Sequence, residues 1–146
     1  MTIAFYAPLK APTHPVPSGD RSVARALMAA LAYAGYDVTL ASDIRLYDGA
    51  GDADVQAQLA RDAEREVARL SQTPEAARWS HWVTYHNYYK APDLIGPPGS
   101  AALNIPYLQI ESTRARKRLS GPWARFAAAA EAASDVARTI FYFTQH

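Results

Sequence analysis

The chain has 146 residues, a length that fits one domain and excludes a large multidomain assembly. Hydrophobic residues make up 49% and charged residues 20%, which excludes a wholly disordered or fibrous chain. The net charge of +1 is too small to indicate a nucleic-acid or membrane partner. The chain contains no cysteine, so disulfides, cysteine-ligated zinc, iron–sulfur clusters and thiol nucleophiles are excluded.

The first part of the chain has the pattern of a βαβ unit. Residues 3–7 form an apolar run that ends in a proline-rich loop, which predicts a first strand. Apolar side chains at helical spacing over residues 23–31 predict a helix, with Ser18 or Asp20 available to cap its start and Gly35 just after its end. Residues 37–41 then read as a second buried strand, so the unit predicts a parallel sheet.

The rest of the chain continues this alternation. An amphipathic stripe from Asp52 predicts a helix of about 20 residues. The further elements predicted are a strand at 79–85, a short helix within 92–104, a strand at 106–110, a helix that has Pro122 at its first position and continues through the apolar run 123–133, and a strand at 139–144. The fold class is therefore α/β, a Rossmann-like doubly wound parallel sheet flanked by helices, in a single domain 1–146.

Ligands of open parallel sheets bind beyond the carboxyl ends of the strands, so the loop after each strand holds the candidates. Ser18 and Gly19 precede a helix N-terminus, where backbone N–H groups and the helix dipole suit a phosphate oxygen, although a glycine before a helix also occurs in plain turns. His86 follows the third strand among tyrosines and is either a proton-transferring group or a structural histidine.

Other polar and aromatic residues leave alternatives open. A basic run consists of Arg114, Arg116, Lys117 and Arg118, and it fits an anionic acceptor, a lipid phosphate, a membrane surface or a solvated loop. Core packing is expected of Trp79, Trp82, Trp123 and Phe126. No metal site is expected, because the spacing of His14, His81, His86 and His146 shows no ligand pair.

Taken together, these segments resemble the N-terminal domain of retaining glycosyltransferases of the GT-B architecture, in the family-4, glycosyltransferase-family-1 group that includes sucrose- and glycogen-synthase-like enzymes. The segments that match are IAFYA at residues 3–7, PSGD at 17–20, GYDVT at 35–39, YHNYYK at 85–90 and IPYLQIE at 105–111. Their order and spacing cover essentially the whole chain.

The resemblance implies a division of labour in which this domain binds the acceptor and a C-terminal domain holds the nucleotide-sugar. Ser18 and Gly19 would approach the donor phosphates, and His86 would lie near the transferred sugar as the catalytic residue. The candidates for acceptor contacts are Tyr88, Lys90, Glu111 and Ser112. The expected donor is a UDP-, GDP- or ADP-sugar with no further cofactor, the acceptor is a carbohydrate or lipid, and no nucleic-acid partner is expected.

The sequence departs from the family in one respect. The donor-binding C-terminal domain, with its paired glutamates, has no counterpart in these 146 residues. We therefore expect half of an enzyme, inactive by itself and located in the cytoplasm, since residues 1–7 lack a basic leader. The alternative is a stand-alone α/β module that binds a nucleotide, a phosphate or a partner without catalysis.

Overall fold

The computed structural model describes residues 1–143 and contains one five-stranded sheet. The strands are β1 (Thr2–Tyr6), β2 (Asp37–Leu40), β3 (Trp79–Asn87), β4 (Tyr107–Ser112) and β5 (Thr139–Phe141). The helices are α1 (Gly19–Tyr33), α2 (Ala53–Leu70), α3 (Gly96–Leu103) and α4 (Ala124–Val136), and short 3₁₀ turns span Ala76–Arg78 and Arg116–Leu119.

The sheet confirms the predicted α/β, Rossmann-like architecture. Its strand order is β2-β1-β3-β4-β5, and every neighbouring pair is parallel. The chain moves outward from β1 to β2 and then returns to place β3 on the other side of β1. This reversal makes the gap between the carboxyl ends of β1 and β3 the switch point at which such sheets bind ligands.

Side-chain caps fix the starts of the two long helices that flank the sheet. The Ser18 hydroxyl oxygen accepts a hydrogen bond from the Arg21 backbone N–H at 3.2 Å, so Ser18 rather than Asp20 caps α1. The Asp52 carboxylate accepts from the backbone N–H groups of Asp54 and Val55 at the start of α2. Both starts agree with the sequence prediction.

Alternate residues of the strands supply two separate hydrophobic clusters, one on each face of the sheet. Tyr6, Trp82 and Tyr107 pack on one face, together with side chains from α2 and α3. Phe5 and Val83 pack on the other face against α1. Each fully buried side chain of this size stabilises the fold by about 1.5–3 kcal/mol.

A closed ring of polar side chains lies buried on the face that packs against α3 and α4. The Tyr107 hydroxyl donates to Asp93 Oδ2 at 2.7 Å, and Gln109 Nε2 donates to the Tyr107 oxygen at 3.0 Å. The Ser134 hydroxyl donates to Gln109 Oε1, and Asn87 Nδ2 donates to Ser134 Oγ. Asn87 Oδ1 accepts from the Asp93 backbone N–H at 2.9 Å, which closes the buried polar ring.

Asp93 is the most demanding member of this ring because it carries a carboxyl group and is only 2% exposed. Its carboxylate also accepts hydrogen bonds from the Thr84 hydroxyl at 2.6 Å and from the backbone N–H groups of Ile95 and Gly96 at the start of α3. Burial raises the pKa of Asp93 above its ordinary value, and these hydrogen bonds oppose that rise. Every oxygen of this buried group therefore has partners.

Several predicted boundaries differ from the structure. β3 continues to Asn87 and β4 to Ser112, so His86, Glu111 and Ser112 belong to the last strand residues and not to the loops after them. α4 begins at Ala124, so the prediction that Pro122 occupies its first position was wrong. Of the predicted fifth strand, Thr144 lies outside the described residues.

The difference at β3 and β4 has a backbone cause. His86 has φ = 66° and Glu111 has φ = 54°, a left-handed conformation that few residues other than glycine adopt. Register pairing places Asn87 beside Ser112, so the two left-handed residues precede one hydrogen-bonded pair on adjacent strands. The register skips His86 and Glu111 and resumes at the next residue of each strand, which a sequence pattern of alternating residues does not reveal.

No helix among residues 1–143 is both long enough and apolar enough to cross a membrane.

Candidate functional site

The candidate site lies at the switch point, where three segments meet at the carboxyl edge of the sheet. The loop after β1 and the loop after β2 are joined there, because the Leu46 backbone N–H donates to the Pro8 carbonyl at 2.9 Å and Arg45 Nε donates to the Leu9 carbonyl at 2.7 Å. The end of β3 supplies His86, and Tyr88 follows directly. These hydrogen bonds fix two long loops beside one strand end.

His86 is held by an acidic partner from α1. Its Nδ1 lies 2.9 Å from Asp20 Oδ1, and the Tyr85 hydroxyl donates to the same oxygen at 3.2 Å. Both side chains stay partly open to solvent, with His86 25% and Asp20 29% exposed. When Nδ1 carries the proton toward the carboxylate, Nε2 of a neutral His86 is left as an acceptor, and nothing in residues 1–143 hydrogen-bonds to it.

Aromatic rings extend the site on both sides of this His86–Asp20 pair. The His86 and Tyr88 rings stack with centroids 4.6 Å apart and planes at 15°, and the Tyr85 ring lies 5.7 Å from that of His86. Burial, with smaller contributions from neighbouring charges, raises the pKa of Tyr88 to about 12. Burial also raises the pKa of Tyr85, and the negative charge of Asp20 beside its hydroxyl raises this pKa further. Both tyrosines therefore keep neutral hydroxyls at physiological pH.

A cavity of about 190 Å³ opens beside the pair. Its lining consists of Leu9, Lys10, Ser18, Asp20, Arg45, Tyr47 and Tyr88. Neither Lys10 nor Arg45 has an ion pair with any residue of the described part of the chain. The Arg45 guanidinium lies over the Tyr47 ring, 4.8 Å from its centroid. The lining carries two cations and one carboxylate, that of Asp20, so a positive charge remains beside the helix start and favours an anion.

The two residues predicted to contact phosphate lie at this cavity or at its edge. Ser18 lines the cavity, and its oxygen accepts from the Arg21 N–H, so its own hydroxyl proton remains able to donate. Gly19 is exposed, and a Cβ added at Gly19 would meet no atom within 4 Å. The backbone at the start of α1 is thus accessible to a ligand.

The predicted acceptor residues do not all lie together. Tyr88 lines the cavity beside His86, whereas Lys90 lies over the rings of Tyr89 and Trp123. Glu111 and Ser112 line a different cavity of about 360 Å³ with Arg114.

The environments of Glu111 and Ser112 differ from those of the switch-point residues. Glu111 accepts a hydrogen bond from the Phe143 backbone N–H. Ser112 is buried, and its hydroxyl lies 2.7 Å from Ser134 Oγ next to the buried polar ring. The structure therefore gives Ser112 a partner inside the protein.

The predicted aromatic core is confirmed for three of the four residues. Trp79, Trp82 and Phe126 are at most 5% exposed. Trp123 is only half-buried, and its ring packs edge to face with Tyr89, 5.5 Å away. The expectation that Trp123 belongs to the core was wrong, because it lies just before α4 at the surface beside two cationic side chains.

The basic run after β4 is divided by its contacts. Arg114 pairs with Glu131 at 2.5 Å and with Asp135 at 2.9 Å, both on α4. Arg118 lies over the rings of Tyr89 and Trp123. Arg116 and Lys117 are exposed. The four positive charges therefore do not act as one patch.

Sequence reasoning missed three contributors to the site. Asp20 was considered as a helix cap and as part of the PSGD segment but not as the partner of His86, although a carboxylate in the first turn of a helix that follows β1 can reach the end of β3, which is adjacent in the sheet. Arg45 and Tyr47 lie in the loop after β2, several residues beyond the strand end, and neither was singled out from the sequence. These residues could have been found from the general rule that every loop at the carboxyl edge of a parallel sheet can contribute side chains to the ligand site.

Larger cavities lie elsewhere in the molecule. One of about 410 Å³ is lined by Asn104, Pro106 and Arg138, which precede β4 and β5 at the opposite edge of the sheet. Size therefore does not select the site, whereas the convergence of loops, charges and the His86–Asp20 pair does. Among residues 1–143, no three histidine, aspartate or glutamate side chains are grouped closely enough to hold a metal ion.

No protein-family model and no curated protein matches the sequence.

Proposed function

We propose that this chain is the N-terminal, acceptor-binding half of a glycosyltransferase. The complete enzyme would move a sugar from a UDP-, GDP- or ADP-sugar to a carbohydrate or lipid acceptor, with retention of configuration as the sequence resemblance implies. The observation that carries the proposal is the His86–Asp20 pair, which is open to solvent at the switch point beside a cavity with two unpaired cations.

The cavity supports the part of the proposal that concerns phosphate. Departure of a nucleoside diphosphate builds negative charge on phosphate oxygens, and positive side chains and helix N-termini stabilise that charge. Lys10, Arg45 and Ser18 line one space of about 190 Å³, and Gly19 follows Ser18 directly in the chain. In the proposed enzyme these groups face the diphosphate of the donor from the acceptor side.

His86 and its neighbours support the part that concerns the sugar. Stacked aromatic rings such as His86 and Tyr88 offer apolar faces to sugar C–H groups and polar edges to hydroxyls. Asp20 acts as a positioning residue, since it holds Nδ1 of His86 and so leaves Nε2 to accept a hydroxyl proton or hydrogen bond. The neutral hydroxyl of Tyr88 adds a donor on the same side.

The division of labour makes the 146-residue chain inactive by itself, because the groups that hold the nucleotide and choose the sugar would lie in the donor-binding domain. The cytoplasmic location is part of the same proposal, since nucleotide-sugars are the substrates it requires. Acceptor contacts by Lys90, Glu111 and Ser112 remain predictions.

The experiment uses the protein encoded by the complete reading frame that contains this sequence. Purified protein is incubated with UDP-, GDP- and ADP-glucose and a panel of carbohydrate and lipid acceptors, and nucleoside diphosphate release and product anomers are measured. We expect acceptor-dependent release with retained configuration. Absence of release with every donor, or a reading frame that encodes no second domain, would contradict the proposal.

A second candidate is a stand-alone module that binds a phosphate-containing ligand without catalysis. The strand order β2-β1-β3-β4-β5 favours it, because that order also occurs in single-domain proteins that bind ligands at the β1/β3 switch point. For such a module, the chain would bind a nucleotide or nucleotide-sugar at the Lys10–Arg45 cavity and release no product. The same assay, combined with equilibrium binding to the 146-residue chain, distinguishes the two candidates.

A further inference from the structure

A second group of cations lies on an aromatic pair outside the cavity described above. The Tyr89 and Trp123 rings pack edge to face, with centroids 5.5 Å apart and planes at 85°. Lys90 Nζ lies 5.9 Å from the Tyr89 centroid and 5.4 Å from that of Trp123. Arg118 Cζ lies 5.1 Å and 5.4 Å from the same two centroids. These four residues are called the Tyr89–Trp123 cluster.

The two positive charges of this cluster form no ion pair with any residue among 1–143. Neither Lys90 nor Arg118 forms an ion pair within 4.0 Å, whereas Arg114, from the same basic run, pairs with two carboxylates of α4. In addition, Arg118 Nε is buried without a hydrogen-bond partner among the described residues. A buried guanidinium N–H without an acceptor is destabilising, and two like charges on one ring pair repel each other.

The acid nearest in the hydrogen-bond network is committed elsewhere. The Asp48 backbone N–H donates to the Lys90 carbonyl, and the Asp48 carbonyl accepts from Trp123 Nε1 at 2.9 Å. Its carboxylate, however, accepts from Gln56 Nε2 and from the backbone N–H groups of Ala50 and Asp52. Asp48 therefore fixes the position of the cluster without neutralising it.

A row of aromatic rings connects the cluster to the His86–Asp20 pair. The Tyr88 ring stacks on His86 at 4.6 Å and contacts the Tyr89 ring at 5.6 Å, and Tyr89 in turn contacts Trp123. A ligand that extends along these rings reaches both places. The cluster is thus positioned as a second attachment point for the ligand of the main site.

The geometry points to a second anion-binding site, in which Lys90 and Arg118 bind a phosphate group. Arginine presents paired N–H donors that match phosphate oxygens, and lysine adds a point charge, so together they suit a doubly charged group. The site stands on the contacts of the cluster alone. Its extension, that the sugar acceptor of the proposed enzyme carries this phosphate while His86 faces a hydroxyl, rests on the proposed function.

The three tryptophans provide a direct readout of binding. The indole Nε1–H of Trp123 belongs to the cluster, while those of Trp79 and Trp82 donate to Thr39 and Thr84 away from it. The 146-residue chain, labelled with ¹⁵N, is titrated with inorganic phosphate, and a Trp123→Phe variant assigns the signals. We expect a saturable shift of the Trp123 indole signal, with the Trp79 and Trp82 signals unchanged.

Matched variants test whether the two cations cause the shift. Lys90→Met and Arg118→Met remove the charge but keep an apolar stem against the rings, and each should weaken phosphate binding by about tenfold. Lys117→Met removes an equal charge from the exposed face of the same 3₁₀ turn and should leave the affinity unchanged. Equal affinity in all variants, with lower thermal stability only for Lys90→Met and Arg118→Met, would show that these cations merely pack on the rings and would overturn the site.

A phosphate group can come from a small molecule or from a lipid headgroup, and a second arm of the experiment separates these sources. Binding is measured to phosphatidylcholine vesicles with and without phosphatidic acid. A Trp123 shift with inorganic phosphate supports the site for a free phosphate. Binding only to vesicles with phosphatidic acid, lost in Arg118→Met, supports it for a lipid phosphate. No response to either probe overturns the inference.

These results are independent of the transferase assay. Phosphate binding at the cluster without any sugar transfer would leave this site intact and contradict the proposed function. Sugar transfer without phosphate binding would do the reverse.

Discussion

Two polar networks share strand β3, and they differ in how many of their polar groups have hydrogen-bond partners. In the buried polar ring, Asp93 is 2% exposed and its carboxylate accepts four hydrogen bonds. In the open network around His86, the Asp20 carboxylate holds one nitrogen of the ring, and the other nitrogen has no partner in residues 1–143. Both networks include polar groups of β3.

The buried polar ring belongs to the scaffold, whereas the open network around His86 belongs to the candidate site. A buried polar network stabilises a fold only when every member has its partner, and the ring under α3 and α4 meets that condition. The open network leaves donors and acceptors to solvent, a state that gains nothing for the fold and is useful where a ligand supplies the missing partners. The left-handed conformation of His86 and Glu111 joins the two networks, because it lets Asn87 and Ser112 enter the ring while the preceding residues face outward.

Removing the central acid should have the largest effect on stability. Asp93→Ala leaves the hydroxyls of Thr84 and Tyr107 and two backbone N–H groups at the start of α3 without their acceptor. We expect a loss of about 3–5 kcal/mol in the free energy of unfolding, measured by urea denaturation. The isosteric Asp93→Asn, which keeps one carbonyl oxygen, should lose less. Equal stability of Asp93→Ala and wild type would show that the ring is not the scaffold.

The pH dependence of stability should separate Asp93 from a second buried acid. The pKa of Asp93 is raised above its ordinary 3.8 by burial, so the folded state holds its proton longer than the unfolded state. The stability that wild type has over Asp93→Asn should therefore fall as pH rises from 3.8 through the raised pKa.

Asp48 should behave in the opposite sense. Burial tends to raise its pKa, but hydrogen bonds from Gln56 and from backbone N–H groups outweigh burial and lower it below 3.8. The advantage of wild type over Asp48→Asn is then fully present above pH 3.8 and lost as pH falls through the lowered pKa. Urea midpoints measured across the acid range for both variants check these signs, and slopes of the same direction would contradict them.

The smallest effect is expected at the exposed ion pairs of the basic run. Arg114 is 36% exposed and reaches Glu131 and Asp135 on α4. Exposed pairs of this kind contribute at most about 1 kcal/mol, so Arg114→Ala should lower the free energy of unfolding by no more than that, and less at high salt. A loss as large as that of Asp93→Ala would remove the distinction between exposed and buried polar groups.

The sequence was sufficient for the elements and the sheet, because periodicity, prolines and helix caps act locally. Ser18, one of the two cap candidates, caps the first helix, the second helix begins directly after Asp52 as predicted, and all five predicted strands are present. The strand order, in contrast, depends on contacts between residues that are far apart in the sequence, and local patterns do not reveal these contacts. The continuation of β3 through His86 also escaped prediction, since a left-handed residue inside a strand has no signature in alternating hydrophobicity.

The sequence predicted which edge of the sheet holds the site, but it predicted only some of the residues that form it. The rule that ligands bind beyond the carboxyl ends of parallel strands led to Ser18, His86 and Tyr88, which the structure brings close together. It also led to Ser112, whose hydroxyl is turned into the core toward Ser134. Which way a side chain points at the end of a strand depends on backbone turns that pattern analysis does not resolve.

The most direct test of this division is the turnover of His86→Ala in the complete protein, measured as nucleoside diphosphate release together with the urea midpoint of the same preparation. The account predicts that turnover falls by about 100-fold or more, as for loss of a group that transfers or positions a proton. It also predicts a loss in the free energy of unfolding that is clearly smaller than that of Asp93→Ala, because His86 is not part of the buried polar ring. Unchanged turnover, or a loss of turnover that merely follows a loss of folding, would contradict it.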